Sequence, residues 1–261
     1  MKRPVVLISE RSLYSRALFV FLSAFRILLL AALGMVVTAA SAGSFSVNPV
    51  RVELSAQRSS AVVQVENTGS TELTVEARTF VWAQPEGKDH LSTTREVIVT
   101  PQVFRMKAGA TQLLRIGALR KPDQFNELPY RLVLEEIPPP PAPDVKGLQV
   151  ALRISMPVFL RPPVEAKDKI DVVITAENDR QLRLIFSNTG NASAALSNLS
   201  ISEEDSPDQL IATHSGVTYV LAGQRRQLIL DSKRFNPDKK ILIRARSPAG
   251  PVTLHAVSST P

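Results

Sequence analysis

The stretch that decides the fold is Gly147–Pro163, GLQVALRISMPVFLRPP. From Leu148 to Met156 every second residue is apolar, and the residues between them are small or polar. A period of two is typical of a β-strand that has one apolar face and one polar face. The strand follows a run of prolines and ends at Pro157, and proline is confined to edge strands because it cannot donate to the ladder. The sequence therefore predicts an apolar-faced strand at the edge of a sheet.

The chain that precedes this strand has the same short alternating segments, separated by turn signals. Between residues 44 and 160 we predict about seven strands, with one turn every 8 to 12 residues or so. The turns are expected at Asn67-Thr68-Gly69, at Pro85-Glu86-Gly87 and at Lys107-Ala108-Gly109. This pattern predicts an antiparallel sandwich of immunoglobulin type, and the only tryptophan, Trp82, is expected in its core.

A second set of strands follows the segment LRPPVEAKDK at 160–169, which is predicted to be a linker. The triplet Asn67-Thr68-Gly69 recurs there as Asn188-Thr189-Gly190, which agrees with a repeated fold. No long segment has helical periodicity, so helices should be few. We therefore predict an all-β chain of two tandem immunoglobulin-like sandwiches, over residues 43–160 and 161–261.

The N-terminus predicts a secretory signal peptide over residues 1–42. It has a basic start, the apolar run Ile27–Ala40 and the small residues Ala40-Ser41-Ala42 at an A-x-A cleavage site. A retained membrane anchor over Ala17–Ala40 is the alternative, because that stretch is long enough to span a bilayer. Cleavage of the leader would release the mature protein as an exported protein.

Charge and composition exclude several classes of protein. The chain has 31 Lys+Arg and 24 Asp+Glu, of which five and one lie in residues 1–42, so the remaining 26 and 23 give the mature chain a net charge of +3. This mild charge argues against nucleic-acid binding. The chain has no cysteine, so an exported protein of this length must be stabilised by its hydrophobic cores alone.

Catalytic motifs are absent from the sequence. The histidines His90, His214 and His255 do not have the spacing of metal ligands. There is also no nucleophile elbow, Walker loop or dinucleotide fingerprint. We therefore expect no enzyme activity, no metal and no cofactor.

The predicted edge strand has few features that would prevent another chain from pairing with it. Natural edges are protected by charges, bulges or shortness, and Arg153 is the only charge on this strand. An added strand would gain affinity from main-chain hydrogen bonds and specificity from alternate side chains. An ordinary half-buried strand is the simpler alternative. The side chains predicted to bind the added strand are Leu148, Val150, Leu152, Ile154 and Met156.

Four segments behind the leader resemble the periplasmic pilus chaperones of chaperone–usher systems. They are NPVRVEL at 48–54, TPQVFRMKAGATQLLRI at 100–116, PYRLVLEEIPP at 129–139 and LQVALRISMPVFLRP at 148–162. YRLVLEE and SMPVF look closest to the archaic branch of that family. The resemblance implies two sandwiches set like a boomerang, with the last strand of the first lent to an incomplete pilus or fimbrial subunit. It also implies delivery of the subunit to an outer-membrane usher, and a free chaperone could cap the same edge by self-association.

The resemblance also implies an anchor for the C-terminal carboxylate of the subunit. Better-known members use an arginine on the first strand, which Arg51 matches, and a lysine on the last strand of the first domain. Pro157 stands at the lysine position, so half of that anchor is missing. Arg131 is the best local substitute because it alternates with the apolar residues of its strand. The alternative for both arginines is a solvated position on a strand.

Two other functions compete with a pilus chaperone. A fimbrial subunit or surface adhesin would carry a donor extension directly after the leader and an incomplete sandwich behind it. In this sequence the segment after the leader runs straight into a predicted strand, and a second whole sandwich follows. A periplasmic binding module of the same fold that works without pili is the other alternative.

Overall fold

The computed structural model describes residues 45–138, 150–232 and 235–258. Over these residues the chain consists of β-strands joined by short loops, with a single turn of 3₁₀ helix at Pro85–Gly87 and no α-helix. The strands of the first half are β1 (Phe45–Asn48), β2 (Val52–Leu54), β3 (Ser60–Asn67), β4 (Leu73–Ala83), β5 (His90–Thr93), β6 (Val97–Thr100), β7 (Val103–Met106), β8 (Thr111–Ala118), β9 (Leu128–Ile137) and β10 (Arg153–Leu160). The strands of the second half are β11 (Ile170–Asn178), β12 (Gln181–Asn188), β13 (Ala194–Glu203), β14 (Ser206–Val220), β15 (Arg225–Asp231), β16 (Ile241–Ser247) and β17 (Gly250–Ser258). The prediction of an all-β chain of two immunoglobulin-like sandwiches is confirmed.

The first sandwich packs two sheets over one apolar core. One sheet has the order β1-β3-β8-β6, and the other has the order β2-β10-β9-β4-β5, with β7 also paired to β4. Alternate side chains of both sheets point inward, as expected for a sandwich. The largest fully buried side chains of this core are Leu54, Leu114, Ile116, Tyr130, Leu132, Leu134 and Leu160.

Over its described residues the first sandwich contains ten strands rather than about seven, because two stretches are each divided in two and a further short strand, β5, follows the turn at Pro85–Gly87. NPVRVELS forms β1 in one sheet and β2 in the other, with the bend Pro49–Arg51 between them. Pro101 likewise separates β6 from β7, which belong to different sheets. Because proline interrupts the backbone ladder, each break lets the chain cross from one sheet to the other.

The second sandwich is built from seven strands in the order β14-β13-β16-β17-β11-β12-β15. β17 joins its two halves, because it pairs antiparallel with β16 and parallel with the start of β11. The core of this sandwich includes Ile174, Leu184, Phe186 and Ile201. The segment between β10 and β11 is held by hydrogen bonds, since Asn191 Nδ2 donates to the carbonyl of Glu165 (3.1 Å) and the amide of Lys167 donates to Asn191 Oδ1 (2.8 Å).

The repeated Asn-Thr-Gly triplet forms the same buried turn in both sandwiches. Asn67 Nδ2 donates to the carbonyls of Thr71 (2.8 Å) and Met106 (3.0 Å). Asn188 Nδ2 donates in the same way to the carbonyls of Ala192 (2.7 Å) and Val220 (2.9 Å). In each turn the Asn Oδ1 accepts from the glycine amide two residues later. The same turn satisfies both donors and the acceptor of a buried asparagine side chain, which accounts for the repetition of the triplet in this chain.

Three predictions fall on residues that the structure does not describe. The signal peptide over 1–42 and its membrane-anchor alternative lie outside the described residues, as does Leu148 of the predicted edge strand. The described part of the chain contains no helix long and apolar enough to cross a membrane.

Candidate functional site

Strand β10 has an open edge over its first five residues. One side of β10 pairs antiparallel with β9 along the whole strand, from Arg153 to Leu160. The other side pairs with β2 only at Val158–Leu160. Within the described ranges, Arg153–Pro157 therefore has a strand on one side and none on the other. Unpaired backbone groups of this kind are a template for an added strand.

The apolar side chains of this segment become more exposed towards its start. Met156 is 2% exposed and belongs to the core of the first sandwich. Leu152 and Ile154 are half-buried and pack against that core, while Val150 is 76% exposed. The side chain of Met156 is thus already enclosed by its own domain in the free chain, and its contact with a partner stays a prediction. The side chains that remain available among the described residues are Val150, Leu152 and Ile154.

Arg51 lies in the bend between β1 and β2, and an acidic residue already compensates its charge. Its Nε and Nη2 are each 3.0 Å from Glu53 Oε1, and its Cζ lies 4.5 Å from the centroid of the Phe159 ring. Glu53 also accepts two hydrogen bonds from Arg161, at 2.9 and 3.1 Å. Burial raises the pKa of Glu53, but the two arginines outweigh that effect and hold the pKa below its ordinary value. Arg51 thus shares one carboxylate with Arg161.

Arg131 lies directly across from Pro157 in the pairing of β9 with β10. Its Cζ is 3.6 Å from the centroid of the Trp82 ring and 5.2 Å from that of Tyr219. Its Nη1 is 3.4 Å from the backbone carbonyl of Ser155, on the open part of β10. Burial lowers the pKa of the Arg131 guanidinium. Among the ion pairs of the described residues, none includes Arg131.

Both predicted anchor arginines thus lie over one aromatic cluster, which consists of Trp82, Phe159 and Tyr219. The ring centroids of Trp82 and Phe159, under the two guanidinium groups, are 6.3 Å apart. Trp82 is buried, but it does not belong to the core of the first sandwich. It lies on the opposite face of β4, against Tyr219 and Leu221 of the second sandwich. The expectation that Trp82 is a core residue is confirmed, but its core is this smaller cluster and not the main core of the first sandwich.

Sequence reasoning missed the polar residues that join the two sandwiches at this cluster. The buried side chain of Gln84 donates to the carbonyl of Tyr219 (2.8 Å) and accepts from the amide of Leu221 (3.0 Å). Asp89 accepts from Trp82 Nε1 (2.8 Å) and lies 3.1 Å from Arg226 Nη1. The available signal was Trp82 itself, since a large aromatic residue on the outward face of a strand indicates that something covers that face.

A second buried polar group lies where the first sandwich meets residue Ser193. The Ser193 amide donates to Glu127 Oε1 (2.9 Å), and Glu127 Oε2 lies 3.9 Å from Arg161 Nε and has no hydrogen-bond partner. Burial raises the pKa of Glu127, and the Ser193 and Arg161 groups oppose that effect without cancelling it. The carboxyl of Glu127 is therefore partly unsatisfied at the junction.

The fold and this edge define a class of protein: two immunoglobulin-like sandwiches, the first of which ends in a strand with an open edge. Residues 44–165 match the family model of the pili and flagellar-assembly chaperones, N-terminal domain of the PapD type. This region of the chain belongs to that family, so the resemblance predicted from the sequence is confirmed. No curated protein sequence matches the chain.

Solved structures of chaperone–usher proteins share the fold over most of their length. A chain of the CsuC–CsuE chaperone–tip adhesion subunit pre-assembly complex, from archaic chaperone–usher Csu pili of Acinetobacter baumannii, is 22% identical with a TM-score of 0.63, and the match covers 83% of this chain and 100% of that one. The complex of SafA pilin with the SafB chaperone from Salmonella enterica matches at 17% identity and a TM-score of 0.56, covering 84% of this chain and 98% of that one. The CupB2 chaperone of Pseudomonas aeruginosa matches at 16% identity and a TM-score of 0.55, covering 82% and 100%.

Proposed function

We propose that this protein is a periplasmic chaperone that binds pilus or fimbrial subunits by donor-strand complementation. In this proposal residues 1–42 are removed as a signal peptide, residues 43–160 form the domain that lends a strand, and residues 161–261 form its companion. The chaperone then passes its subunit to an outer-membrane usher. The family that residues 44–165 belong to is a family of assembly chaperones, which is not a class of enzyme.

The observation that carries this proposal is the open edge of β10. Over Arg153–Pro157 the backbone has a pairing partner on one side only among the described residues, and the exposed Val150 precedes it. A subunit strand added here gains main-chain hydrogen bonds and contacts with Val150, Leu152 and Ile154. Full burial of such side chains contributes about 1.5–3 kcal/mol each. Val150 therefore gains most on binding, since Leu152 and Ile154 are already half-buried in the free chain.

The two arginines would fix the register of the added strand. Arg131 lies across from Pro157, the position at which related chaperones carry the anchor lysine, and its guanidinium lies 3.4 Å from the Ser155 carbonyl on the open edge. A carboxylate that reaches Arg131 would supply the counter-ion that no described ion pair supplies. Charge-assisted hydrogen bonds of this kind contribute about 1.5–3 kcal/mol. Arg51, over the neighbouring ring of Phe159, is proposed as the second part of the anchor.

Affinity capture from the periplasm of the native host tests the proposal. The tagged full-length protein is expressed from its own gene, and captured chains are identified by mass spectrometry. We expect a fimbrial subunit whose immunoglobulin-like sandwich lacks a strand, and a tagged chain whose N-terminus begins near residue 43. Capture of no such subunit, with correct export of the tagged chain, would contradict the proposal.

The alternatives give different outcomes in the same experiment. A fimbrial subunit would be captured with neighbouring copies of itself in a polymer, whereas a chaperone is captured in a soluble one-to-one complex. A periplasmic binding module that works without pili would be captured with neither a subunit nor an usher. A gene for a large outer-membrane barrel beside the gene for this chain would favour the chaperone.

A further inference from the structure

The guanidinium of Arg131 lies over one aromatic ring and beside a second, and the two rings come from different sandwiches. Trp82, on β4 of the first sandwich, is 3.6 Å from Arg131 Cζ, and Tyr219, on β14 of the second, is 5.2 Å away. The two rings meet edge to face, with an interplanar angle of 74° and centroids 5.3 Å apart. Both centroids lie within the distance of about 6 Å at which a ring attracts a cation.

Hydrogen bonds to the first sandwich fix the place of Tyr219. The side-chain amide of Gln84 donates to the Tyr219 carbonyl at 2.8 Å, and its oxygen accepts from the Leu221 amide at 3.0 Å. The second sandwich also binds the backbone of Gln84, because Gln224 Oε1 accepts from the Gln84 amide at 2.5 Å. The end of β14 is thus held against β4 on both sides of Tyr219.

Asp89 orients the other ring of the pair. Its Oδ1 accepts from Trp82 Nε1 at 2.8 Å and from Gln84 Nε2 at 3.0 Å, and its Oδ2 is 3.1 Å from Arg226 Nη1. An indole N–H that donates to a carboxylate leaves the ring face more negative, which strengthens its attraction for a cation. Both oxygens of Asp89 are engaged, so Asp89 orients Trp82 without forming an ion pair with Arg131.

We infer that Tyr219 of the second sandwich is a positioning residue for Arg131, and that its ring holds the guanidinium over Trp82 and towards the open edge of β10. The inference rests on the proposed function, in which Arg131 binds the C-terminal carboxylate of the subunit. It adds that the second sandwich contributes to the binding of that carboxylate by Arg131. The binding of the carboxylate therefore depends on the contact between the two sandwiches.

The only tryptophan of the chain reports directly on this site, because Arg131 lies on its ring. The mature chain is titrated with N-acetylglycine as the carboxylate probe and with N-acetylglycinamide as its uncharged match, and Trp82 fluorescence is followed. The Nε–Hε resonance of Arg131, assigned by its loss in Arg131→Lys, gives a second measurement that needs no ligand. Tyr219→Leu removes the ring, and Tyr219→Phe keeps it.

We expect Tyr219→Leu to move the Arg131 resonance out of the ring-current-shifted region and to weaken N-acetylglycine binding about fivefold. Tyr219→Phe keeps the ring, so its Arg131 resonance and its affinity for N-acetylglycine should be those of the wild type. Leu221→Ala is the matched control, since Leu221 lies in the same cluster and no described contact joins it to an arginine. It should lower the free energy of unfolding but leave the Arg131 resonance in place, because the Gln84 hydrogen bonds to the backbone of Tyr219 and Leu221 are kept. An unchanged resonance in Tyr219→Leu, or a loss in Leu221→Ala equal to that in Tyr219→Leu, would overturn the inference.

The same measurements distinguish a failure of the proposed function from a failure of the positioning role of Tyr219. Suppose that neither the wild-type chain nor any variant binds N-acetylglycine, but the Arg131 resonance still depends on the Tyr219 ring. The positioning role of Tyr219 is then supported, and the proposed carboxylate anchor is wrong. Circular dichroism of each variant confirms that it is folded before either measurement is interpreted.

Discussion

At the scale of single residues, the two predicted anchor arginines differ in the charge that surrounds them. Arg51 has Glu53 at 3.0 Å and competes for it with Arg161. Arg131 has aromatic faces around it and no acidic partner among the described ion pairs. An incoming carboxylate must displace or share a counter-ion at Arg51, whereas Arg131 has no ion-pair partner to displace among the described residues. Arg131 should therefore contribute more to binding than Arg51.

Arg131→Ala is expected to weaken the complex with the captured subunit by about tenfold to hundredfold, because it removes charge-assisted hydrogen bonds of about 1.5–3 kcal/mol. Arg51→Ala should have a smaller effect, at most about tenfold. The measurement is the dissociation constant of the purified pair at fixed ionic strength. Arg105→Ala, at an exposed position on β7, is the matched control and should bind like the wild type. An Arg51→Ala effect larger than that of Arg131→Ala would contradict this ranking.

The sequence predicted a binding role for these arginines from alternation along the strand and from the resemblance to a known family. It could not predict which side chains surround them. Alternation places Arg131 on the outward face of β9, and the structure agrees with that position. The rings around it come from β4 and from β14, which lies in the other sandwich. Contacts between residues so far apart in the chain depend on how the two folded sandwiches pack against each other. The alternation of residues within one strand does not predict that packing.

At the scale of elements, β10 serves two purposes along its length. Its second half, from Met156, completes the core of the first sandwich, and its start offers an open edge. The sequence predicted the edge from alternation and from Pro157. It did not predict where the buried part begins, because Ile154 and Met156 have the same parity and their burial depends on the side chains that other strands place over them. The short length of β2, three residues, is what leaves the edge open.

Val150→Asp tests the open edge without disturbing the free protein. Val150 is 76% exposed, so the change should alter the free energy of unfolding by less than about 0.5 kcal/mol. In the complex the same side chain would be buried, and loss of its burial alone costs about 1.5 kcal/mol or more, which is at least tenfold in affinity. Val257→Asp, at a 67% exposed position on β17, is the matched control and should bind normally. Equal binding by the two variants would mean that the guest strand does not pair beside Val150.

At the scale of the whole molecule, Gln84 makes the contact between the sandwiches specific. Its side chain satisfies the Tyr219 carbonyl and the Leu221 amide, both beside the aromatic cluster. Gln84→Leu leaves these two groups unpaired, at about 1–3 kcal/mol for each, so we expect a loss of about 2–5 kcal/mol in the free energy of unfolding. Urea denaturation followed by Trp82 fluorescence measures it. Gln112→Leu, which removes an exposed hydrogen bond to the neighbouring Leu113 carbonyl within β8, should change stability by less than about 0.5 kcal/mol. Similar losses for the two variants would contradict the role of Gln84.

The junction at Glu127 makes stability depend on pH in a direction opposite to that of most carboxylates. Burial raises the pKa of Glu127 in the folded state above its ordinary value of 4.5, so between these two values the folded protein binds more protons than the unfolded chain. Stability must then fall as pH rises through this window, with a slope of at most about 1.4 kcal/mol per pH unit for one group. Glu127→Gln removes the titration, so its stability relative to the wild type should increase as pH rises above 4.5.

Glu53 provides the matched comparison on the same chain. Arg161 and Arg51 hold the pKa of Glu53 below 4.5, so its contribution to stability is present above that value and is lost as pH falls. Glu53→Gln should therefore differ from the wild type most at neutral pH, and the difference should shrink below pH 4.5, whereas the Glu127→Gln difference should change above it. Urea denaturation of the three proteins at a series of pH values separates the two windows. A Glu127→Gln curve parallel to that of the wild type above pH 4.5 would mean that Glu127 titrates in the folded protein as it does in the unfolded chain, in spite of its burial.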